Sequence, residues 1–201
     1  TEYSTTEGAG IMWIAIGGTF TIKNCKFINL VSRGGDGHVF NVNSGTTVQL
    51  ILEGCEFTNC GKANTPRALV NMLNDKCSFE CYDCSFTSKE NNGCRVIDLK
   101  SNKATFERCH FTRCWSDAIY LGYGNENGAA YGTLVFRNNV ISDCNKENFI
   151  RTPKFESKPT IENNIFEDIT LSSGCLINIV HSLNEIEFNN NTFARIKTNS
   201  D

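Results

Sequence analysis

The stretch FERCHFTRC, Phe106 to Cys114, sets two cysteines five residues apart with a histidine beside the first. Thiolate and imidazole are the usual zinc ligands, and closely spaced thiols also form redox pairs. Metal binding, cross-linking and plain packing are therefore all open for it. The chain holds 11 cysteines in 201 residues, an odd number, so at least one thiol is free or pairs outside the chain. Cys81-x-x-Cys84 is the one CxxC, with Cys77 just before it. A structural zinc site normally draws four ligands from two such knuckles. Only three cysteines cluster here, so neither a metal nor a cofactor is expected.

Carboxylates are the next candidates. The tripeptide Arg195-Ile196-Lys197 and the stretch Gly35-Asp36-Gly37-His38 resemble pieces of polygalacturonase motifs, but they lie at opposite ends of the chain, and that family's aspartate motifs are missing. Asp143 and Asp168 make a better pair once the repeat below is laid out. They stack between Arg113 and Arg195, at a spacing of about 5 Å that suits a retaining glycosidase or a calcium site. A solvated charge ladder explains the same four residues, and no catalytic residue is assigned.

Composition narrows the classes. Lys and Arg total 19 against 22 Asp and Glu, for a net charge of −3, and no basic run points to nucleic acid or an anionic membrane surface. Sustained apolar periodicity of the helical kind is missing, and no apolar run reaches the roughly 18 residues of a membrane span. Thr1–Gly10 is polar and small, unlike a leader.

FERCHFTRC recurs. Aligned copies are IKNCKFINL (22–30), LEGCEFTNC (52–60), CYDCSFTSK (81–89), FERCHFTRC (106–114), FRNNVISDC (136–144), IENNIFEDI (161–169) and FNNNTFARI (188–196). Their fourth residues are Cys25, Cys55, Cys84, Cys109, Asn139, Asn164 and Asn191, spaced by 30, 29, 25, 30, 25 and 27. Each copy but the last is followed by a second apolar segment: HVFNV (38–42), ALVNML (68–73), RVIDL (95–99), AIYL (118–121), NFIR (148–151) or CLINI (175–179). IMWIAI (11–16) stands before the first copy like the tail of a preceding turn. A unit of this size cannot bury its own apolar face and must stack. The expected fold is all-β: a single-stranded right-handed parallel β-helix of about seven coils of 25–30 residues, forming one domain over 1–201. The chain starts and stops in mid-pattern, as a piece of a longer chain would.

Stacking predicts columns. Ile22, Leu52, Cys81, Phe106, Phe136, Ile161 and Phe188 form one, and Phe27, Phe57, Phe86, Phe111, Ile141, Phe166 and Phe193 another. Outward positions should then alternate in sign. They do so at Lys23/Glu53, around Arg137, at Lys26/Glu56, and from Arg113 to Asp143 and from Asp168 to Arg195, with Asp143 and Asp168 the single clash of like charges. Inward Cys and Asn share one column, read as an internal amide ladder in which Cys is the apolar substitute. Adjacent-coil pairs Cys25–Cys55, Cys84–Cys109 and Cys114–Cys144 fall within disulfide range, so cross-links and reduced core thiols both stay open. His110 should point outward.

The FxxN-type segments Phe136–Asn139 and Phe188–Asn191, together with the GGAI-like strands SDAIY (116–120) and SGCLI (173–177), resemble repeats of polymorphic outer membrane proteins. Related right-handed β-helix surface proteins occur in bacteria and parasitic protists, and Cys in place of Asn is closer to the protist versions. The resemblance implies an extracellular or cell-surface location and adhesion, with a glycan or a host or cell-surface protein as partner. Whether the chain is an enzyme stays open, with no convergent acid–base group in the repeats to favour it.

The longest irregular connection, GYGNENGAAYG (122–132), offers Tyr123 and Tyr131 as contact residues, with Trp115 on the same side. Asp143 and Asp168 complete the candidate binding set. Asn190-Asn191-Thr192 matches the N-glycosylation sequon, a match made incidental if Asn191 is a ladder rung. The expected function is a non-catalytic surface repeat domain, for ligand binding or as a rigid spacer. Alternatives are a carbohydrate-active or carbohydrate-binding β-helix of pectate-lyase-like fold, and a structural part of a larger assembly.

Overall fold

The computed structural model describes residues 2–3, 11–32, 37–43, 45–61, 68–72, 74–88, 95–99, 103–114, 118–121, 133–144, 148–152, 159–179 and 185–198. Within them the chain winds through three parallel sheets of seven strands each. The first sheet holds Gly18–Lys23, Val48–Glu53, Ser78–Tyr82, Lys103–Glu107, Thr133–Arg137, Thr160–Glu162 and Glu187–Asn189. The second holds Lys26–Ile28, Glu56–Thr58, Ser85–Thr87, His110–Thr112, Val140–Ser142, Ile165–Glu167 and Thr192–Ala194. The third holds Met12–Ile14, Gly37–Val42, Ala68–Met72, Arg95–Leu99, Ile119–Leu121, Ile150–Thr152 and Ile177–Ile179. Two small sheets pair Glu2–Tyr3 with Val31–Ser32 and Thr170–Leu171 with Lys197–Thr198.

Each repeat copy therefore divides into the end of a first-sheet strand and a whole second-sheet strand. The third-sheet strand is the apolar segment that follows. Six coils are complete. The seventh copy contributes strands to the first two sheets only, and Met12–Ile14 is a lone third-sheet strand before the first coil. The count is thus slightly below the seven expected, because the two ends are part coils.

The corner between the first and second sheets explains why the third repeat residue is what it is. Asn24, Gly54, Asp83, Arg108, Asn138, Asn163 and Asn190 all take φ between 52° and 60°. That left-handed region is costly for most L-residues and least so for Gly, Asn and Asp. A second left-handed corner falls at the eighth position, at Asn29, Asn59, Arg113, Asp143, Asp168 and Arg195. Gly54 answers a further demand: a Cβ there would lie 2.6 Å from Asn24 Oδ1.

The predicted columns pair residue for residue, Ile22 with Leu52, Leu52 with Cys81 and so on to Phe188. In the second sheet Phe27, Phe57, Phe86 and Phe111 stack with ring centroids 4.7, 4.9 and 5.1 Å apart. That spacing is close to the distance between neighbouring strands, so the rings lie face over face along the axis. Outside, Lys23–Glu53 and Lys26–Glu56 close at 2.7 and 2.9 Å, and Arg137 reaches Glu107 at 2.8 Å.

Candidate functional site: the Cys/Asn ladder and its charged neighbours

The fourth repeat position lies just past the first corner and points inward. Asn139 and Asn164 are completely buried, so their amides need internal partners. Each finds them on both adjacent coils. The Nδ2 of Asn139 donates to Phe106 O at 3.1 Å and that of Asn164 to Phe136 O at 2.9 Å, each on the coil before. In turn the backbone N–H of Asn139 donates to Asn164 Oδ1 at 2.9 Å, and that of Asn164 to Asn191 Oδ1 at 3.1 Å. Every rung grips backward with its donor and receives the coil before with its acceptor.

The thiols occupy the same two roles. Cys55 Sγ donates to Ile22 O at 3.5 Å and Cys109 Sγ to Cys81 O at 3.5 Å, the carbonyls equivalent to those the asparagines use. The N–H of Cys55 donates to Cys84 Sγ at 3.3 Å. A second column repeats the arrangement: Cys60 Sγ reaches Phe27 O at 3.1 Å, and Cys114 N–H donates to Cys144 Sγ at 3.4 Å. Cys77 does the same at the turn before its strand, accepting from Val48 N–H and donating to Thr46 O, both at 3.3 Å. Cysteine is therefore more than an apolar stand-in for asparagine here. It is a weaker donor and acceptor of smaller volume.

All ten described cysteines are free thiols in this structure. Cys25–Cys55, Cys84–Cys109 and Cys114–Cys144 do lie on adjacent coils. Their sulfurs hydrogen-bond backbone carbonyls, Cys25 that of Lys23 at 3.3 Å and Cys144 that of Ser142 at 3.4 Å, while those of Cys84 and Cys109 also bond each other. Cys109 Sγ approaches Cys81 Sγ as well, at 3.7 Å. Burial pushes the Cys55, Cys60, Cys77 and Cys81 thiols up, and the hydrogen bond with Cys109 pushes Cys84 up to about 12. Among the described residues no group of three or more His, Cys, Asp or Glu side chains is spaced to hold a metal ion. His110 faces solvent, on the opposite side of the strand from Cys109.

Asp143 and Asp168 sit on adjacent coils at left-handed corners. Asp168 is held by the Nε–Nη2 edge of the Arg195 guanidinium, one nitrogen to each carboxylate oxygen, with Nη2 2.8 Å from Oδ2. That guanidinium keeps its carboxyl below the usual range, and it also reaches Glu167 at 3.0 Å. The same pattern recurs at Asp83, where Arg108 makes bonds of 2.7 and 3.0 Å and lowers the carboxyl. Hydrogen bonding from Tyr82, with Gln49 and Lys103 assisting, lowers Glu80. A glycosidase acid must instead be raised toward neutrality. Trp115, Tyr123 and Tyr131 lie outside the described residues. The sequon's acceptor is Asn190, exposed at its corner, while Asn191 is the rung and donates to Ile161 O at 2.8 Å.

A row on the outward face of the third sheet escaped the sequence reading. Asn41, Asn71, Asp98, Tyr120 and Arg151 pair in consecutive register. Asn71 Nδ2 donates to Asn41 Oδ1 at 2.9 Å. Asp98 pairs with Arg95 within its own strand at 3.3 Å. Arg95 in turn lies 4.5 Å over the Tyr120 ring, and Arg151 lies 5.6 Å from it, both within cation–π range. Asp98 and Tyr120 are only 5 % and 9 % exposed, so the row acts as internal fastening rather than an open surface. Lining up the second apolar segments, as was done for the first, would have shown it.

A family model for the right handed beta helix region matches residues 9–193. The chain belongs to the right-handed β-helix family. Neither the curated proteins nor the solved structures give a match to it. Family membership fixes the winding and the fold, and the family includes both non-catalytic and carbohydrate-active members. Among the described residues no helix is long and apolar enough to cross a membrane.

Proposed function

We propose that this β-helix is a non-catalytic repeat domain of an extracellular or cell-surface protein, a rigid scaffold that holds binding loops at fixed spacing. One observation carries the reading. Each described carboxyl whose titration is displaced is displaced downward, Asp83 and Asp168 by an arginine of the next coil and Glu80 by hydrogen bonds. Acids fixed in that way brace coil against coil and are poor proton donors near neutral pH. The likeness of the FxxN-type segments to polymorphic outer membrane protein repeats supports the surface location and an adhesive role toward a glycan or a host protein. Fold alone argues for a carbohydrate-active β-helix, which is a weaker warrant.

The test offers the purified chain neutral and uronate polysaccharides while following new reducing ends and unsaturated uronate absorbance. In parallel, binding to glycan arrays and to cells is read from labelled protein. The expected result is no turnover, with any binding unchanged in Asp143→Asn and Asp168→Asn. Turnover lost in either variant would overturn the proposal in favour of the enzyme.

A further inference from the structure

We propose that Cys81 and Cys109 form an oxidative cross-linking site, a disulfide across the core that ties the third repeat copy to the fourth, with a low-molecular-weight disulfide as the oxidant. The inference goes beyond the proposed function and does not rest on it. Both residues lie in interior coils, with described strands stacked on either side.

The ladder itself creates the pair. A fourth-position side chain reaches back to the carbonyl of the first-position residue on the coil before, as Cys55 does to Ile22, Cys109 to Cys81 and Asn139 to Phe106. Every such rung is therefore held beside a first-position side chain. In the first-position column Cys81 is the only thiol among aliphatic and aromatic residues. At that junction alone two sulfurs face each other in this way, 3.7 Å apart, on side chains that are both 0 % exposed. Closing the bond takes the sulfurs from 3.7 Å to about 2.0 Å, a turn about the two Cα–Cβ bonds.

Cys84 competes for Cys109, since their thiols also bond each other. Its sulfur is already committed to the ladder, accepting from Cys55 N–H at 3.3 Å and donating to Tyr82 O at 3.2 Å. Turning toward Cys109 draws it off a buried N–H, which is costly. Among the described residues the partners of the Cys81 sulfur are the thiols of Cys109 and Cys84, so Cys81 gives up no backbone bond. Cys109 gives up two long ones, to Cys81 O and Glu107 O, both at 3.5 Å.

The exchange balances in two steps. The Cys109 thiolate attacks one sulfur of the oxidant RSSR, forming a mixed disulfide and expelling RS−. The Cys81 thiolate then attacks the Cys109 sulfur and expels the second RS−. Both protein protons end on those leaving groups, and two electrons pass to the oxidant, giving the protein disulfide and two RSH. Neither sulfur is reachable in the closed coil, so the step belongs to the folding chain, before the copy at 136–144 covers Cys109 through Asn139.

Refolding the full chain from urea in reduced and oxidised glutathione, then acid quench, alkylation and peptide mapping, tests this. The expected product carries a Cys81–Cys109 bond, which forms in Cys84→Ala as well. It melts about 5 °C or more above the reduced protein, because the bond closes a span of 28 residues, and added reductant abolishes the rise. A mapped Cys84–Cys109 bond overturns the proposal. So do thiols at Cys81, Cys84 and Cys109 that all stay open to alkylation after refolding, or an oxidised chain that melts no higher than the reduced one. Polysaccharide turnover is not read in this experiment, so its outcome is independent of the proposed function.

Discussion

The backbone N–H of Cys109 donates to Oδ1 of Asn139 at 2.8 Å, and this bond joins a run of thiol rungs to a run of amide rungs. The rungs on either side of that boundary serve the same backbone groups with different atoms. The ladder's energetics can therefore be probed by exchanging one for the other.

Asn164→Leu should destabilise the chain by about 3 kcal/mol, since it strips the buried N–H of Asn139 and the carbonyl of Phe136 of their partners. Asn164→Cys, which keeps a donor and an acceptor at the site, should cost about 1 kcal/mol. Urea unfolding followed by far-UV circular dichroism gives both numbers. Equal losses would show that the rung's hydrogen bonds add nothing to its packing.

Iodoacetamide under native conditions should label Cys25 and Cys175 and spare the eight buried thiols, which become reactive only on unfolding. Peptide mass mapping reads the sites. A Cys84 or Cys114 that stays unlabelled even after denaturation without reductant would reveal a cross-link.

High pH should unfold the protein early. Thiols with an ordinary value of 9.0 are raised in the folded chain by burial at Cys55, Cys60, Cys77 and Cys81. The unfolded chain then releases protons that the folded chain keeps. The stability these groups contribute is complete below pH 9 and is lost as pH climbs through the raised values. Melting temperatures taken from pH 8 to pH 11 should fall, and the fall should be shallower in Cys60→Ala.

In acid the sign reverses. Arg108 holds the Asp83 carboxyl below its ordinary value of 3.8, so the pair's contribution is present above that value and is lost as pH drops through the lowered one. Arg108→Gln should leave the melting temperature nearly unchanged at pH 2. Near neutral pH it should lower it modestly, as an exposed pair warrants. The difference between the two pH values is the readout.

Gly54→Ala should cost about 1–2 kcal/mol, because alanine is strained at φ 60° and its Cβ would crowd Asn24 Oδ1. Gly54→Asn separates the two causes, since asparagine tolerates the backbone but meets the same neighbour. Thermal melts of both variants suffice.

The inward columns were legible because stacking forces equal repeat positions to be neighbours, and seven copies made the register unambiguous. The corners were not. Asp143, Asp168 and Arg195 were read as alternating charge, yet what these positions share is a left-handed backbone, and sign alternation is secondary to it. An apolar column and a hydrogen-bonded one look alike when Cys fills both, so the thiols' double role at Cys55 and Cys109 was invisible in composition. The third-sheet row from Asn41 to Arg151 was written in the segments HVFNV, ALVNML, RVIDL, AIYL and NFIR. Its members differ in chemistry from coil to coil, and a search for repetition passes over a column whose residues do not repeat.

The direction of the ladder has a consequence for synthesis. Asn139 receives its acceptor from a residue 25 positions later and Asn164 from one 27 positions later, while each side chain reaches back to a carbonyl 28 to 33 positions earlier. A ribosome therefore releases every coil half-finished. The coil's buried N–H stays bare until one more repeat has been translated, and the arrival of that repeat locks it. Nascent coils are closed in order from the N-terminus, each by its successor, so a pause in translation would always leave the newest rung as the only one unsealed.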